Sequence, residues 1–426
     1  MARVLKMEQA ILVHLATGQT DRSEAEESME ELASLAAAAG AQVVDKVFQS
    51  RPRISPRCFI GEGKTEELSR RKEELRADLI IFDHNLTPIQ QKNLEDLIGS
   101  KVVDRTQLIL DIFAQRARSN EGKLQVELAQ LNYRLPRLVG KGKALSRLGG
   151  GIGTRGPGEK KLEEDRRRIT DRISRLLKEI QGIQKRRESQ RQNRRESPVP
   201  TVSLVGYTNA GKSTLFNALC RETMLTSPAL FATLDPVLRR VDFPDGLHFF
   251  LSDTVGFLKR LPFELVSSFQ ATLEEIKEAD CLCHVIDFSS RTAEEQTRAV
   301  ETILAEIGSG NVPIIKVFNK IDLLPSKKEL LDRNISAEER TVYLSARTGE
   351  GMASLKDKIR SILFRDCRIF YLRIPKDKKE LIPSFRRWAI ILETRENADG
   401  SEIKVMAEPK SMLNYLPYLI QGENHW

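Results

Sequence analysis

The chain has 426 residues, of which 30% are charged and 40% hydrophobic, and its formal net charge is +8. This length indicates about two to four domains, and no stretch approaches the roughly 20 apolar residues of a membrane-spanning helix. The five cysteines are odd in number and contain no C-x-x-C pair, which argues against a disulfide scaffold and predicts a reducing, cytoplasmic location.

Residues 1–104 are predicted to form a small α/β domain. Apolar, β-rich runs at residues 11–16, 42–48, 79–83 and 101–104 alternate with helical patterns at residues 25–39, 65–76 and 88–98. Such alternation is typical of a parallel sheet covered by helices.

One segment of this region resembles half of a phosphate-binding loop. Gly63, Lys64 and Thr65 match the end of that motif, but Cys58 stands where the full motif needs a glycine. We therefore expect a turn at Gly61 that caps the following helix, with a second nucleotide site as the alternative.

Metal sites built from histidine or cysteine are not expected. The five histidines are scattered along the chain and suggest no metal cluster. Cys281 and Cys283 lie two positions apart in an apolar run, so they share one face of a strand, where core packing is favoured over metal binding.

Residues 105–197 are predicted to form an antiparallel pair of helices. Apolar residues recur at heptad-compatible spacing in two stretches, which is the pattern of a coiled-coil seam. The first seam contains Leu124, Leu128, Leu131, Leu135 and Leu138; the second contains Leu162, Ile169, Ile173, Leu176, Ile180 and Ile183, with Arg166 at its one non-apolar position. Two helices joined by a short connection pack as a hairpin.

The connection at residues 140–158 is rich in glycine and basic residues. Residues 134–197 carry a net charge of +12, so the rest of the chain is at −4. Such concentration indicates a polyanionic partner, and a stalk with a cationic tip suits a phosphate-lined space in folded RNA. The alternative is a solvated linker.

Residues 198–365 are predicted to form a doubly wound, mostly parallel sheet that begins with a phosphate-binding loop. The loop comprises Gly206, Tyr207, Thr208, Asn209, Ala210, Gly211, Lys212 and Ser213, and Thr214 opens the next helix. Its backbone N–H groups would bind phosphate, Lys212 would reach the terminal phosphates, and the Ser213 hydroxyl would ligate Mg²⁺.

Later strands of this domain are expected at residues 238–243, 247–252, 282–287, 314–318 and 342–345. The turn sequence at residues 244–246 predicts an antiparallel hairpin at one edge of the sheet. Residues 366–426 follow as a small α+β domain with strands at 369–374, 389–394 and 401–407, and we find no catalytic constellation in it.

Three further motifs follow strand ends and complete a guanine-nucleotide site. They are Asp253, Thr254, Val255 and Gly256; then Asn319, Lys320 and Asp322; then Ser345, Ala346 and Arg347. Asp253 would hold Mg²⁺ through water, and the Gly256 N–H would contact the γ-phosphate. Asp322 would accept two hydrogen bonds that guanine can donate and adenine cannot.

The other base contacts follow from the same motifs. Asn319 would bond the base edge, the Lys320 stem would cover the face of the base, and the Ser345 to Arg347 segment would donate a backbone N–H to the guanine carbonyl.

This set of motifs resembles the translation-factor-like GTPases. The resemblance makes Phe231, Ala232 and Thr233 part of a first switch, with Thr233 as the residue that ligates Mg²⁺ beside GTP. Thr223 and Thr226 compete for that role on chemistry alone. Lys212, Thr233 and Gly256 are then the residues expected to take part in hydrolysis.

The residue after Gly256 departs from the pattern of many such GTPases. They place there a glutamine that orients the attacking water, whereas this chain has Phe257. An apolar ring cannot polarise water, so the sequence predicts slow intrinsic hydrolysis that a partner stimulates.

Four segments, at residues 104–118, 121–130, 149–159 and 205–213, resemble the bacterial HflX GTPase family, and GGGIGTRGPGE at 149–159 is the most specific. The resemblance implies a cytoplasmic GTPase that uses GTP/GDP and Mg²⁺, binds the large ribosomal subunit and its rRNA through the helical hairpin, and splits or rescues stalled ribosomes. We expect a monomer. The alternatives are a GTPase of large-subunit assembly and an RNA-binding scaffold with a structural nucleotide.

Overall fold

The computed structural model describes residues 7–18, 22–140, 157–195, 199–220, 237–258, 275–324, 340–385, 388–397 and 399–420. The described residues up to Gly182 belong to one compact unit, and those from Ile183 onward belong to a second. The finer division into four domains remains a prediction.

The first unit contains a parallel sheet, as predicted. Its elements are β1 (Glu8–Thr17), α1 (Arg22–Ala38), β2 (Ala41–Arg51), α2 (Glu62–Leu75), β3 (Leu79–Phe82), α3 (Pro88–Ile98), β4 (Lys101–Asp104), α4 (Arg105–Arg116), α5 (Asn120–Arg134) and a 3₁₀ turn at Leu135–Gly140. The strand order is β2-β1-β3-β4, and every pairing is parallel. Ile11, Val13, Ile80 and Phe82 are fully buried in its core.

The glycine turn before α2 is at a helix start, as expected. Gly61 is the N-cap residue of α2, with extended backbone. The Thr65 hydroxyl donates to the Gly61 carbonyl at 3.1 Å, so it is engaged within the first turn of the helix.

A buried polar cluster lies beyond the ends of β3 and β4. The Arg105 guanidinium donates to Asp83 Oδ1 at 2.7 Å and also to Glu31. His14 Nδ1 lies 2.9 Å from Asp83 Oδ2, and the Ser28 hydroxyl donates to the same oxygen at 2.6 Å. Burial favours the neutral carboxyl, but the His14 hydrogen bond and the Arg105 charge prevail and hold the pKa of Asp83 below its usual value.

This cluster bears on one expectation from the sequence, that the histidines suggest no metal cluster. The rings of His14 and His84, far apart in the chain, have centroids 5.0 Å apart. Both side chains lie with Asp83 in a group that could hold a metal ion. Two histidines that are scattered in the sequence are therefore neighbours in the fold, and the expectation that the histidines form no metal cluster remains a prediction.

A long helix, α6 (Pro157–Arg195), is joined to α5 by an ion pair. Arg172 on α6 makes two hydrogen bonds to the Glu127 carboxylate on α5, at 2.7 and 2.8 Å. Glu127 and Arg172 lie at about equal sequence distances from the connection, as an antiparallel pair requires. Leu176 and Ile180 of the second predicted seam are buried, and Arg166 is exposed.

The first seam does not continue in one helix to Leu138. Helix α5 ends at Arg134 and passes into the 3₁₀ turn, because Pro136 has no N–H to donate and its ring opposes a further α-helical turn. Residues 141–156, most of the predicted basic connection, lie outside the described residues.

The second unit contains the doubly wound sheet. Its elements are β5 (Thr201–Gly206), α7 (Lys212–Cys220), β6 (Val237–Asp242), β7 (His248–Asp253), β8 (Cys281–Asp287), α8 (Ala293–Glu306), β9 (Ile314–Asn319), β10 (Thr341–Tyr343) and α9 (Met352–Leu363). The order is β10-β9-β8-β5-β7-β6, parallel except for the predicted hairpin β6–β7. Cys281 and Cys283 are buried in its core, as expected.

The C-terminal region of this unit is a three-stranded antiparallel sheet. It comprises β11 (Arg368–Pro375), α10 (Leu381–Phe385), β12 (Ile390–Asn397), β13 (Gly400–Ala407) and a 3₁₀ helix at Pro409–Tyr418, with strand order β11-β13-β12. Ile390 and Met406 of this sheet join the same hydrophobic core as Phe243 and Phe249 of the β6–β7 region. The sheet is therefore packed onto the core of the doubly wound sheet.

Among the described residues, no helix combines the length and apolar character that crossing a bilayer requires.

We expect Arg105→Leu to lower the free energy of unfolding of the first unit by about 3–5 kcal/mol, since it leaves the Asp83 and Glu31 carboxylates without their cation. Hydrogen exchange of peptides from β3 and β4 measures the stability of the first unit separately from that of the second. Arg22→Leu is the control: its pair with Glu26 is exposed and within one helix, so the change should be at most about 0.5 kcal/mol. Equal protection in the two variants would contradict the role of Arg105.

Candidate nucleotide-binding site

The phosphate loop connects β5 to α7 and requires glycine at both ends of its motif. Gly206 has φ +151° and Gly211 has φ +95°. A Cβ atom at Gly206 would lie 2.2 Å from the Val285 carbonyl oxygen, and one at Gly211 would lie 2.3 Å from Asn319 Nδ2. Larger residues at these positions would separate the loop from β8 and β9.

Lys212 lies inside the loop and is only 6% exposed. Its Nζ donates to the carbonyl oxygens of Gly206 at 3.0 Å and Tyr207 at 2.7 Å. Burial lowers the pKa of Lys212 to about 8, against the opposing effect of the Asp253 charge. The ammonium group is thus held within the loop by carbonyls that a bound phosphate would replace.

Ser213 and Asp253 form an oxygen-ligand pair. The Ser213 hydroxyl donates to Asp253 Oδ2 at 2.9 Å. They meet because β5 and β7 are parallel neighbours, with Leu204 opposite Asp253. A hydroxyl and a carboxylate are hard oxygen donors, so this pair fits Mg²⁺. Thr233, the third predicted ligand, lies outside the described residues, as do Phe231 and Ala232.

The segment after Asp253 is hydrogen-bonded to the phosphate loop. The Thr208 N–H donates to the Phe257 carbonyl at 2.8 Å, and the Phe257 N–H donates to the Gly206 carbonyl at 3.1 Å. We call this pair of bonds the loop clasp. The Thr254 hydroxyl anchors the same segment by donating to the Leu204 carbonyl at 2.6 Å.

The side chain of Phe257 is only 6% exposed. Position 257 therefore offers no polar side-chain atom to a water molecule. Gly256 lies against Lys212: a Cβ there would be 3.0 Å from Lys212 Nζ. In this conformation the loop clasp brings Gly256 to the ammonium group that phosphate would contact, and Val255 beside it is half-buried.

Asn319 has a role that the sequence did not reveal. Its amide Nδ2 donates to the Ala210 carbonyl at 2.8 Å, and its Oδ1 accepts from the Ala346 N–H at 2.9 Å. The side chain is 2% exposed, so it joins the phosphate loop to the turn after β10. The Ala346 N–H belongs to the segment expected to donate a backbone N–H to the guanine carbonyl, and in this structure it donates to Asn319.

The remaining base-site residues are held by neighbouring side chains. Ser345 Oγ donates to Asp322 Oδ1 at 2.6 Å and accepts from the Thr348 N–H at 3.1 Å. Lys320 has φ +66°, and its Nζ donates to Asp287 Oδ2 at 2.6 Å. The sequence-based site did not include Asp287; its position at the end of β8, beside β9, is the signal that could have identified it.

The remaining residues of the predicted phosphate loop also lie between β5 and α7 or at the start of α7. Tyr207 and Ala210 are buried, Asn209 is exposed with φ +61°, and Thr214 lies in the first turn of α7. Arg347 is exposed in the turn after β10. The phosphate loop, the Ser213–Asp253 pair and the base-site residues thus lie at one edge of a doubly wound sheet, which defines a P-loop GTPase domain.

Comparison with known proteins identifies the family. Family models described as "GTP-binding GTPase N-terminal", "GTP-binding GTPase Middle Region" and "50S ribosome-binding GTPase" match residues 26–114, 116–194 and 201–320. GTPase HflX of Caldanaerobacter subterraneus is 47% identical over 94% of this chain and 91% of its own. GTPase HflX of Escherichia coli is 44% identical over 92% of each.

A solved GTP-binding protein from Sulfolobus solfataricus in complex with GDP is 27% identical, covering 84% of this chain and 99% of that one at a TM-score of 0.44. The chain belongs to the HflX GTPase family: it binds guanine nucleotide, hydrolyses GTP and contains a ribosome-binding GTPase domain.

Asp322→Asn should weaken GTP binding by about 100-fold, because two hydrogen bonds to a carboxylate are each worth about 1.5 kcal/mol. ATP binding should change little, so the preference for GTP falls. Competition binding with GTP and ATP measures this preference. Asp357→Asn, an exposed aspartate on α9, is the control. An unchanged preference for GTP would contradict this base pocket.

The affinity for GDP should fall as the pH rises above about 8. In the free protein the pKa of Lys212 is about 8, and phosphate raises it, so binding above this pH requires proton uptake. The expected slope is up to about tenfold per pH unit. Calorimetry between pH 7 and 9 measures it, with Lys212→Arg as the reference, because arginine stays charged. Parallel profiles for the two proteins would refute this assignment.

Proposed function

We propose that this protein is a GTPase activated by the large ribosomal subunit, and that it splits or rescues stalled ribosomes. The observation that carries the proposal is Phe257. The buried apolar side chain of Phe257 stands in the water-orienting position, where it cannot activate water. The family model described as a 50S ribosome-binding GTPase supports the large subunit as the partner that completes the site.

The proposed contact with rRNA is made by the helical hairpin. Exposed basic side chains occur along the described part of α6, at Arg166, Arg167, Arg168, Arg175 and Lys178. Rows of cations on a helix neutralise phosphates and release counterions. The basic connection at residues 140–158 is the proposed tip of this contact. The protein would act in the cytoplasm as a monomer.

GTP is proposed to set the state of the factor. Ser213, Thr233 and Asp253 would hold Mg²⁺, with Asp253 acting through water, and the Gly256 N–H would contact the γ-phosphate. Binding in this way would open the loop clasp, since Gly256 now lies against Lys212. Differential ribosome affinity of the two states would drive splitting, and hydrolysis would reset the factor.

GTP turnover with and without purified large subunits tests the proposal. We expect stimulation of at least about 100-fold, the effect of supplying one missing transition-state contact. Neutralising Lys141, Lys143, Arg147 and Arg155 together should weaken subunit binding and flatten its salt dependence while leaving basal turnover unchanged.

Equal turnover with and without subunits would overturn the activation. Co-sedimentation with precursor particles alone would favour large-subunit assembly instead. If Lys212→Ala abolished turnover but left splitting and recycling intact, the nucleotide would have only a structural role.

A further inference from the structure

We propose that His14, Asp83 and His84 bind a zinc ion at the carboxyl edge of the N-terminal sheet. In the strand order β2-β1-β3-β4, the chain leaves β1 towards β2 and leaves β3 towards β4. The sheet therefore has its topological switch point between β1 and β3. In open parallel sheets, ligands bind in the crevice outside the carboxyl ends of the strands at such a point.

The three residues converge on this crevice. His14 lies next to Val13, which is paired with the last residue of β3, and Asp83 and His84 follow that strand directly. One ligand atom from each of the three side chains lies within 4.8 Å of the other two. His14 Nδ1 and Asp83 Oδ2 are already 2.9 Å apart. A small contraction would bring all three atoms to one ion.

The donor set indicates the class of metal. Two imidazoles and one carboxylate suit Zn²⁺ and Co²⁺, and three protein ligands leave a fourth position for water. Mg²⁺ prefers oxygen ligands alone. The site would therefore differ in metal preference from the Ser213–Asp253 pair of the nucleotide site.

Neighbouring contacts support a ligand role for Asp83. Its Oδ1 accepts from Arg105 at 2.7 Å, and Arg105 also donates to Glu31. Ligating carboxylates are commonly fixed in this way by a further hydrogen bond. Asp83 and Glu31 bring two carboxylates against one guanidinium, so the charge of this set favours an added cation.

Access to the site is through His84. His14 and Asp83 are buried, at 3% and 0% exposure, whereas His84 is half-buried. Phe59, whose ring centroid is 5.1 Å from that of His84, has φ +65°. A bulky residue in this conformation is strained, and the Ser55–Phe59 backbone bonds of 2.9 and 3.0 Å hold it. Strained backbone beside a cluster of ligand atoms is typical of binding sites.

The alternative is a purely structural histidine–aspartate–arginine network, which also stabilises folded chains. Titration of the full-length, chelator-treated protein with Co²⁺, in the presence of Mg²⁺ and GDP, distinguishes the two. We expect one equivalent of bound Co²⁺ with ligand-field absorption, displaced by Zn²⁺. Thiolate charge-transfer absorption would instead assign the metal to the cysteines and overturn the proposal, as would the absence of stoichiometric binding.

Two variants sharpen the test. His84→Ala should weaken Co²⁺ binding by at least about 100-fold, since loss of a ligand exceeds the 10- to 100-fold effect of losing its supporting contacts. His248→Ala, which removes a histidine on β7 of the second unit, should bind Co²⁺ as the wild type does. Equal affinity in all three proteins would refute the site.

X-ray absorption of the zinc-loaded wild-type protein provides a measurement independent of any variant. Two imidazole ligands with additional oxygen ligands are the expected environment, and sulfur ligands would contradict it.

Discussion

The nucleotide site depends on the two hydrogen bonds of the buried Asn319 side-chain amide. It spans the Ala210 carbonyl and the Ala346 N–H, and it fits only because Gly211 has no side chain to displace it. The phosphate loop and the turn after β10 come from sequence positions more than 130 residues apart. One side chain with a donor and an acceptor fixes their separation, so the phosphate and base ends of the site are held in register.

Much of the second unit could be predicted from local sequence, because the motifs that specify it are short. Glycine spacing, apolar strands and the turn at residues 244–246 predict the loop, the parallel sheet and the β6–β7 hairpin, and all three are present. The double role of Asn319 could not be predicted, since it depends on which strand ends become neighbours. The meeting of His14 with His84 has the same origin: the pairing of β1 with β3 joins positions that no local pattern relates.

Other differences come from proline and from packing. Pro136 ends α5 before the predicted seam does. The loop clasp adds a feature that the identity of residue 257 could not show. Phe257 is hydrogen-bonded to the phosphate loop through its backbone. The residue that has no polar side chain for water is therefore also the residue that closes the loop.

The shared core of the C-terminal sheet and the β6–β7 region has a consequence for folding kinetics. Phe243 and Met406 belong to one hydrophobic cluster although more than 150 residues separate them. Contacts between residues that are far apart in sequence slow folding. They also form last when the chain is synthesised from its N-terminus. The core around Phe243 and Phe249 therefore stays incomplete until β13 has left the ribosome, and a nascent chain shorter than this exposes apolar surface of the GTPase core.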